Sequence, residues 1–281
     1  MSPLPHKPAL DPPSTTLLVT GASGYIASHI VNEALALGYT VRGTARTQAK
    51  CDATSKIYNS PRYSAVVVPD FGRPSQEIED AVRGVQSVCM VAGDTTMNDD
   101  PDQVIKSVVV GVEAFLEAAR RVGGVKRFTL TSSSTAVMMP KPGVEISVDV
   151  NTWNDEAVDA AWNKSGEAIG PNGYGFVVYA ASKTEGERAF WKFKKEKNPE
   201  FVCNAVLPDT NMGRVLEGGS AGVTGVIMID LFREGKKAFL PPRELFFGLG
   251  GRVCADVMQS ISLMLLMMLG CIFVLRCWMG V

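Results

Sequence analysis

Residues 16–27 read TLLVTGASGYIA, and this stretch decides the fold. An apolar strand runs into a turn in which Gly21 permits a tight bend, Gly24 lets the backbone approach a pyrophosphate, and Ala27 keeps the next helix close to the sheet. The N-terminus of that helix has unpaired N–H groups and the positive end of the helix dipole, which both favour an anion. The stretch therefore predicts a dinucleotide-binding turn, and an ordinary glycine-containing turn is the alternative.

The chain has 281 residues, of which 46% are apolar, and this suits one large α/β domain or a large domain with a small appendage. Its 28 basic and 29 acidic residues leave a net charge of −1, so no nucleic acid is expected as a partner. The six cysteines are scattered without a C-x-x-C pair, which favours a reducing compartment and a cytoplasmic protein. His6 and His29 are the two histidines, so no metal site is expected.

Short apolar runs alternate with helical stretches along most of the chain, after a proline-rich leader at residues 1–14 that we expect to be disordered. The runs at 65–68 and 88–91 have no polar alternation, which is typical of strands covered on both faces in a parallel sheet. We expect strands near 16–20, 40–45, 64–68, 87–92, 127–131 and 202–207. We expect helices near 24–37, 74–83, 102–122 and 177–197. The pattern predicts an α/β fold with a Rossmann-type doubly wound parallel sheet, formed by residues 15–210.

The end of the second strand indicates which dinucleotide binds. A site for NAD usually has an acidic residue there, which accepts a hydrogen bond from the ribose 2′-hydroxyl. Residues 41–46 contain Arg42 and Arg46 and no acid, and two guanidinium groups suit the 2′-phosphate of NADPH. We therefore expect NADPH, with Arg46 as the clamp and Arg42 or Lys50 as helpers, while solvated surface arginines are the alternative. Asp70, after the third strand, could accept from the adenine amino group or be an ordinary loop aspartate.

A second group of residues indicates proton transfer. Tyr179 and Lys183 are four residues apart, so on a helix they share one face. An ammonium beside a phenol stabilises the phenolate, which lets tyrosine deliver a proton, and it can also hold the nicotinamide ribose. A core tyrosine beside a surface lysine is the alternative. The preceding strand ends in the hydroxyl cluster TSSST at residues 131–135, at the sheet edge where ligands bind, and this position favours a nicotinamide-dependent reductase.

Four segments carry a resemblance to a known family: residues 19–28, 38–46, 130–134 and 179–187. The chain resembles the extended short-chain dehydrogenase/reductase family over about residues 15–245. It is most similar to the dihydroflavonol-4-reductase-like branch of aldehyde and ketone reductases, within the NAD-dependent epimerase/dehydratase superfamily. The resemblance implies hydride transfer from NADPH to a small-molecule carbonyl substrate, with Tyr179 as proton donor.

The resemblance also implies roles for individual residues. Ser133 would join Tyr179 and Lys183 in the catalytic set, with Ser134 and Thr135 as alternatives. Together with the motifs above, it gives the expected cofactor contacts, which are Gly21, Ser23, Gly24, Tyr25, Ile26, Arg46, Asp70, Phe71, Val91, Ala92, Gly93, Thr131, Tyr179, Lys183 and Pro208. Trp153, Met138 and the segment after Pro208 would line the substrate pocket. A homodimer paired through the helices at 102–122 and 177–197 would be in keeping with the family.

The end of the chain departs from the family pattern. Residues 211–247 are expected to form a partial substrate lobe, and residues 248–281 an atypical apolar tail. Within the tail, residues 257–275 carry no charge and have about the length that a membrane-spanning helix needs. A membrane anchor, a buried or partner-facing helix, and an aberrant end of a truncated or mis-spliced gene model are the three interpretations. The last is favoured because the resemblance stops abruptly.

Two other functions remain open from the sequence. The chain could be a relative of hydroxysteroid dehydrogenases or sugar-nucleotide epimerases. It could also be a non-catalytic NADPH-binding sensor or scaffold, or a truncated inactive form, since a fold does not determine a function. The combination of Ser133, Tyr179 and Lys183 argues against a sensor, which has no need of a catalytic set.

Overall fold

The computed structural model describes residues 10–139, 145–164 and 173–209, together with 211, 213–216, 218–220, 222–223 and 225–226. The start of the leader, the apolar tail with its possible membrane helix at 257–275 and most of the expected substrate lobe lie outside the described residues. None of the helices formed by the described part of the chain is long and apolar enough to cross a bilayer.

Six short strands form one parallel sheet. They are β1 Thr16–Val19, β2 Thr40–Ala45, β3 Tyr63–Val67, β4 Ser87–Met90, β5 Arg127–Thr131 and β6 Val202–Val206. Their order is β3-β2-β1-β4-β5-β6, and Val19 pairs with Gly43 on one side and with Cys89 on the other. The order reverses between β1 and β4, which is the switch point where such sheets bind ligands. The predicted doubly wound α/β fold is confirmed.

Six α-helices with both ends in the described ranges connect and cover the strands. They are α1 Tyr25–Ala36, α2 Gln48–Tyr58, α3 Gln76–Val82, α4 Pro101–Val122, α5 Asp155–Asn163 and α6 Gly173–Lys197. Four were expected, although α6 begins four residues before the predicted start at residue 177. Helices α2 and α5 were missed. Helix α2 buries only Cys51 and Thr54, and α5 buries three alanines, so neither has the stripe of large apolar side chains that identifies a helix in sequence.

The largest part of the core lies between the sheet and helices α3, α4 and α6. Phe115 of α4, Phe128 of β5 and Phe190 of α6 are fully buried there. Helices α4 and α6 approach closely at Gly186, where an added Cβ would lie 2.8 Å from Cγ1 of Val108. This packing holds α6 against α4 and the sheet. Helix α6 carries the predicted proton donor.

The leader has structure at its C-terminal end. Pro12–Ser14 form one turn of 3-10 helix, and Tyr39 donates a hydrogen bond from its hydroxyl to the carbonyl of Leu10 at 2.9 Å. The expectation of disorder through residue 14 is corrected for residues 10–14, because the buried Tyr39 side chain anchors the backbone there.

Candidate active site

The glycine turn between β1 and α1 is held by the neighbouring strand β2. Gly21 has a φ of 67°, a conformation that favours glycine. Its N–H donates to Oγ1 of Thr44 at 3.1 Å, and the N–H of Ala22 donates to the carbonyl of Thr44 at 2.9 Å. A Cβ on Gly24 would lie 3.1 Å from the carbonyl oxygen of Gly21, so a side chain there would crowd the turn. The two glycines occupy the positions that the motif predicts.

Two tyrosines that support the glycine turn were not identified from the sequence. Tyr58, the last residue of α2, donates its hydroxyl hydrogen to the carbonyl of Ala22 at 2.7 Å. Tyr63 donates to Oγ1 of Thr54 at 3.0 Å, and the two rings pack together. Burial raises the pKa of both phenols, that of Tyr63 to about 12, so both stay neutral donors over the physiological range. The turn is therefore supported from β2 and from α2.

Gly43 of β2 lies between this tyrosine pair and the turn, and we expect Gly43→Ala to destabilise the protein. The new Cβ would overlap the hydroxyl of Tyr63 and lie 2.7 Å from Cβ of Ala22. Overpacking of this kind costs about 1–3 kcal/mol, measurable as the free energy of unfolding in urea. The double variant Gly43→Ala/Tyr63→Phe removes the overlapping hydroxyl and should recover part of the loss. Equal stability of Gly43→Ala and wild type would contradict the packing described here.

The N-terminus of α1 faces the same edge of the sheet. Its N-cap is Gly24, which has no side chain to satisfy the first-turn amides. The Tyr25 ring points elsewhere: it packs edge-on against His29, and a Cβ added to Gly213 would lie 2.9 Å from its hydroxyl. Any cofactor contact of Tyr25 therefore falls to its backbone amide. Ser23 and Ile26 are half-buried beside it, and their expected contacts stay predictions.

The two arginines of β2 have different positions. Arg46 follows the last residue of the strand, is exposed, and lines an open cleft of about 840 Å³ that also borders residues 94–99 and the start of α6. Arg42 does not reach this cleft. Its Nη1 donates to the carbonyls of Ala81 at 2.8 Å and Arg83 at 2.7 Å, where α3 ends. The proposed helper role of Arg42 is therefore wrong, because its guanidinium caps a helix. Lys50 is exposed in the first turn of α2.

The side chains after β3 have local partners. The carboxylate of Asp70 accepts from the N–H of Gly72 at 2.8 Å and pairs with Arg73 at 3.0 Å. The ring of Phe71 stacks on Phe115 of α4 with centroids 5.9 Å apart. The expected contacts of Asp70 and Phe71 with an adenine stay predictions.

The chain after β4 lies beside the glycine turn. Oγ1 of Thr20 accepts from the N–H groups of Val91 and Ala92, both at 2.9 Å. A Cβ on Gly21 would lie 3.3 Å from that of Ala92, and one on Gly93 would lie 3.3 Å from Nζ of Lys183. The segment predicted to border the cofactor thus touches the turn at one end and faces the predicted lysine at the other.

The hydroxyl cluster after β5 divides into different environments. Ser133 is buried, and its Oγ accepts from the hydroxyl of Thr135 at 3.0 Å and from the N–H of Thr135 at 3.3 Å. Ser134 instead donates its hydroxyl hydrogen to Asp209 at 3.1 Å and its N–H to the carbonyl of Pro208 at 3.0 Å. Oγ1 of Thr131 is buried and has no hydrogen-bond partner among the described residues.

Tyr179 and Lys183 share one face of α6, as their spacing predicts. Nζ of Lys183 lies 5.6 Å from the centroid of the Tyr179 ring and 3.5 Å from the carbonyl oxygen of Thr131. Both side chains are half-buried, and the ring of Phe176 stacks on the tyrosine ring with centroids 6.1 Å apart. The alternative of a surface lysine is wrong, because Lys183 reaches inward between Gly93 and the end of β5.

Only some of the residues expected to line the substrate pocket are among those that the structure describes. Cζ of Arg188 lies 5.1 Å from the ring centroid of Trp153, and the same guanidinium pairs with Glu185 at 2.8 Å and with Asp155. Met138 is half-buried, and Leu207 to Asp209 follow β6. Thr210 lies outside the described residues. The pocket role of these residues stays a prediction.

Sequence reasoning missed Glu187, which is fully buried. Oε2 of Glu187 accepts from the hydroxyl of Ser132 at 2.6 Å, and Oε1 accepts from Nε1 of Trp191 at 3.1 Å. A signal was present, because Glu187 follows Lys183 by four residues and so continues the face that begins at Tyr179.

Thiols and carboxylates in the described ranges form no group of three that could hold a metal ion. Cys51, Cys89 and Cys203 are buried free thiols. Burial raises the pKa of Cys89 to about 12, which keeps this thiol neutral and unreactive.

The sequence model of the NAD dependent epimerase/dehydratase family matches residues 17–227. One relative is the NAD-dependent epimerase/dehydratase terH of Aspergillus terreus, 37% identical over 80% of this chain and 66% of its own length. Another is aldehyde reductase 2 of Sporidiobolus salmonicolor, 36% identical over 84% of this chain and 70% of its own length. The chain thus spans about two thirds of the length of these two relatives.

A similar solved structure is that of the yeast methylglyoxal/isovaleraldehyde reductase Gre2 complexed with NADPH. Its TM-score is 0.57 and its identity 26%, over 70% of this chain and 58% of that one. Apart from Thr16, the sheet, the glycine turn and the Tyr179–Lys183 pair all lie within the stretch that the family model matches. Because that match covers well over half of the sequence, the chain belongs to the NAD dependent epimerase/dehydratase family.

Proposed function

We propose that the protein is an NADPH-dependent oxidoreductase that reduces the carbonyl group of an aldehyde or a ketone. The position of Lys183 carries this proposal: its ammonium lies 5.6 Å from the Tyr179 ring centroid and 3.5 Å from the Thr131 carbonyl. Gly93 leaves room beside the Lys183 ammonium, because a Cβ added to Gly93 would lie only 3.3 Å from Nζ of Lys183. A cation held in this way can serve both a tyrosine proton donor and the ribose of a nicotinamide.

The described residues fit a dinucleotide. Gly21 and Gly24 leave an open turn in front of the uncapped N-terminus of α1, where pyrophosphate would be held by backbone N–H groups. Arg46 lies at the exposed end of β2 and offers a planar guanidinium to a 2′-phosphate. No acidic residue stands between Thr40 and Arg46 to take a ribose 2′-hydroxyl. The structure of Gre2 with NADPH supports the same choice by analogy.

The bound nicotinamide would supply a hydride to the carbonyl carbon. Tyr179 would give its phenolic proton to the carbonyl oxygen, and Lys183 would stabilise the phenolate that remains. Ser133 accepts hydrogen bonds from the hydroxyl and N–H of Thr135, which leaves the hydroxyl hydrogen of Ser133 to donate to the same oxygen. Two donors would therefore face the oxygen on which negative charge develops, and this is where preorganised donors have their largest effect.

The substrate class is proposed from two relatives. Aldehyde reductase 2 and a methylglyoxal/isovaleraldehyde reductase both carry aldehydes in their names. We therefore propose a small neutral aldehyde or ketone. The homodimer and the cytoplasmic location expected from the sequence stay predictions.

The first test is a fluorescence titration of the purified 281-residue chain with NADPH and, in parallel, NADH. We expect NADPH to bind about tenfold or more tighter, because a guanidinium–phosphate contact is charge-assisted. NADPH oxidation is then followed with methylglyoxal and isovaleraldehyde as substrates. Binding with turnover supports the proposal. Binding without turnover of any carbonyl compound would favour the sensor alternative, and no binding would exclude both.

A further inference from the structure

A buried carboxylate joins the two halves of the proposed catalytic set. Glu187 is 0% exposed and lies on α6, one helical turn beyond Lys183. Burying a carboxylate is costly unless hydrogen bonds compensate it. Two donors do so here: the Ser132 hydroxyl at 2.6 Å comes from the end of β5, and the Trp191 indole N–H at 3.1 Å comes from α6 itself. One of the two bonds therefore crosses from helix to strand.

The crossing bond reaches the residue next to Ser133. This residue is Ser132, which directly precedes Ser133. Ser132 is also fixed to β6, since the N–H of Ser132 donates to the carbonyl of Val206 at 2.8 Å. One turn earlier on the helix, Nζ of Lys183 lies 3.5 Å from the carbonyl oxygen of Thr131. Thus α6 meets the end of β5 through Lys183 at Thr131 and through Glu187 at Ser132. Of these two contacts, the one made by Glu187 is the shorter.

We propose that Glu187 is a positioning residue. By accepting a hydrogen bond from the Ser132 hydroxyl, it fixes the position of α6 against the end of β5, and therefore the position of Tyr179 relative to Ser133. This inference rests on the proposed function, since it concerns the geometry of that reaction. A carboxylate suits the task because it is rigidly placed, short and acceptor-only. A displacement of about 1 Å between reacting groups can lower a rate by about a hundredfold.

The chain offers a matched pair of variants that separates positioning from stability. Ser132→Ala and Trp191→Phe each remove one donor to the same buried carboxylate, so each should lower the melting temperature. Only Ser132→Ala cuts the link to the segment after β5 that carries Ser133. We expect kcat to fall about tenfold or more in Ser132→Ala with KM and NADPH affinity nearly unchanged, and to stay within about twofold in Trp191→Phe.

Two variants of Glu187 test the same link from the helix side. In Glu187→Gln, the amide oxygen can accept from Trp191 and the amide nitrogen can donate to Oγ of Ser132, so kcat should stay within about threefold of wild type. In Glu187→Leu, both bonds are lost and kcat should fall at least as far as in Ser132→Ala. If Glu187→Leu does not fold, the Ser132→Ala and Trp191→Phe pair still decides the question.

Hydrogen exchange provides a readout that does not require turnover. We expect faster amide exchange at residues 131–137 and 179–187 in Ser132→Ala than in Trp191→Phe, because only the first variant frees the helix from the strand. An inactive wild type with this exchange pattern would contradict the proposed reaction and support the junction. Equal kcat in wild type and Ser132→Ala, or equal exchange in the two variants, would overturn the positioning role of Glu187.

Discussion

Tyr179→Phe should lower kcat for carbonyl reduction by about a hundredfold or more while NADPH binds as tightly as to the wild type. The phenylalanine keeps the ring that contacts Phe176 and Lys183, so the packing of α6 is preserved. The reaction loses its proton donor and one of the two donors that face the carbonyl oxygen, and a single donor of this kind is worth about a hundredfold or more in rate. The measurements are kcat from NADPH oxidation and the dissociation constant from nucleotide fluorescence.

Tyr39→Phe is the matched control for this experiment. It also removes one phenolic hydroxyl, but that hydroxyl bonds to the Leu10 carbonyl, on the leader. We expect it to cost about 1 kcal/mol of stability and to leave kcat unchanged. Full activity in Tyr179→Phe would exclude the proposed mechanism, whereas loss of activity in both variants would point to a general effect on the fold.

Arg46→Ala should remove most of the preference for NADPH over NADH. Arg46 is the exposed guanidinium at the end of β2, where the proposal puts the 2′-phosphate. Charge-assisted hydrogen bonds contribute about 1.5–3 kcal/mol, so we expect NADPH affinity to fall about ten- to a hundredfold. NADH has no 2′-phosphate, and its affinity should change by less than about twofold. Parallel fluorescence titrations measure both.

Arg42→Ala is the matched control from the same strand. Its guanidinium bonds to the Ala81 and Arg83 carbonyls at the end of α3, and partial burial lowers its pKa from the usual value. Removing it leaves those carbonyls without their donor and should lower the free energy of unfolding by about 1–3 kcal/mol. The ratio of NADPH to NADH affinity should not change. A lost preference in Arg42→Ala but not in Arg46→Ala would reverse the assignment of the two arginines.

The fold could be predicted because its signals are local. Several strands contain short apolar runs, and the glycine turn with its following helix and the Tyr179–Lys183 spacing are each defined within a short stretch of sequence. Helices α2 and α5 were missed for the same reason. Their faces carry small or polar residues, and their stability comes from packing on the neighbouring strands and on α6 and from the caps Thr47 and Asn154.

The supports of the candidate site were harder to predict. Tyr58 reaches the Ala22 carbonyl from 36 residues away, and Ser132 reaches Glu187 from 55 residues away. Neither pair has a spacing that a sequence pattern could reveal. Glu187 in particular reads as one more acid on a charged helix until its burial is known, because helix periodicity shows which residues share a face and not what covers that face.

By itself, the sequence determined the parallel sheet, the glycine turn and the shared helical face of Tyr179 and Lys183, because these follow from backbone preferences and side-chain periodicity over short distances. Only the tertiary structure decided between residues of the same type. It places Arg46 in the cleft and Arg42 on α3, buries Ser133 beside Thr135 while Ser134 turns to Asp209, and links α6 to β5 through Glu187. Such choices depend on which partners the folded chain brings within hydrogen-bond distance, and that distance is a property of the packed sheet and helices.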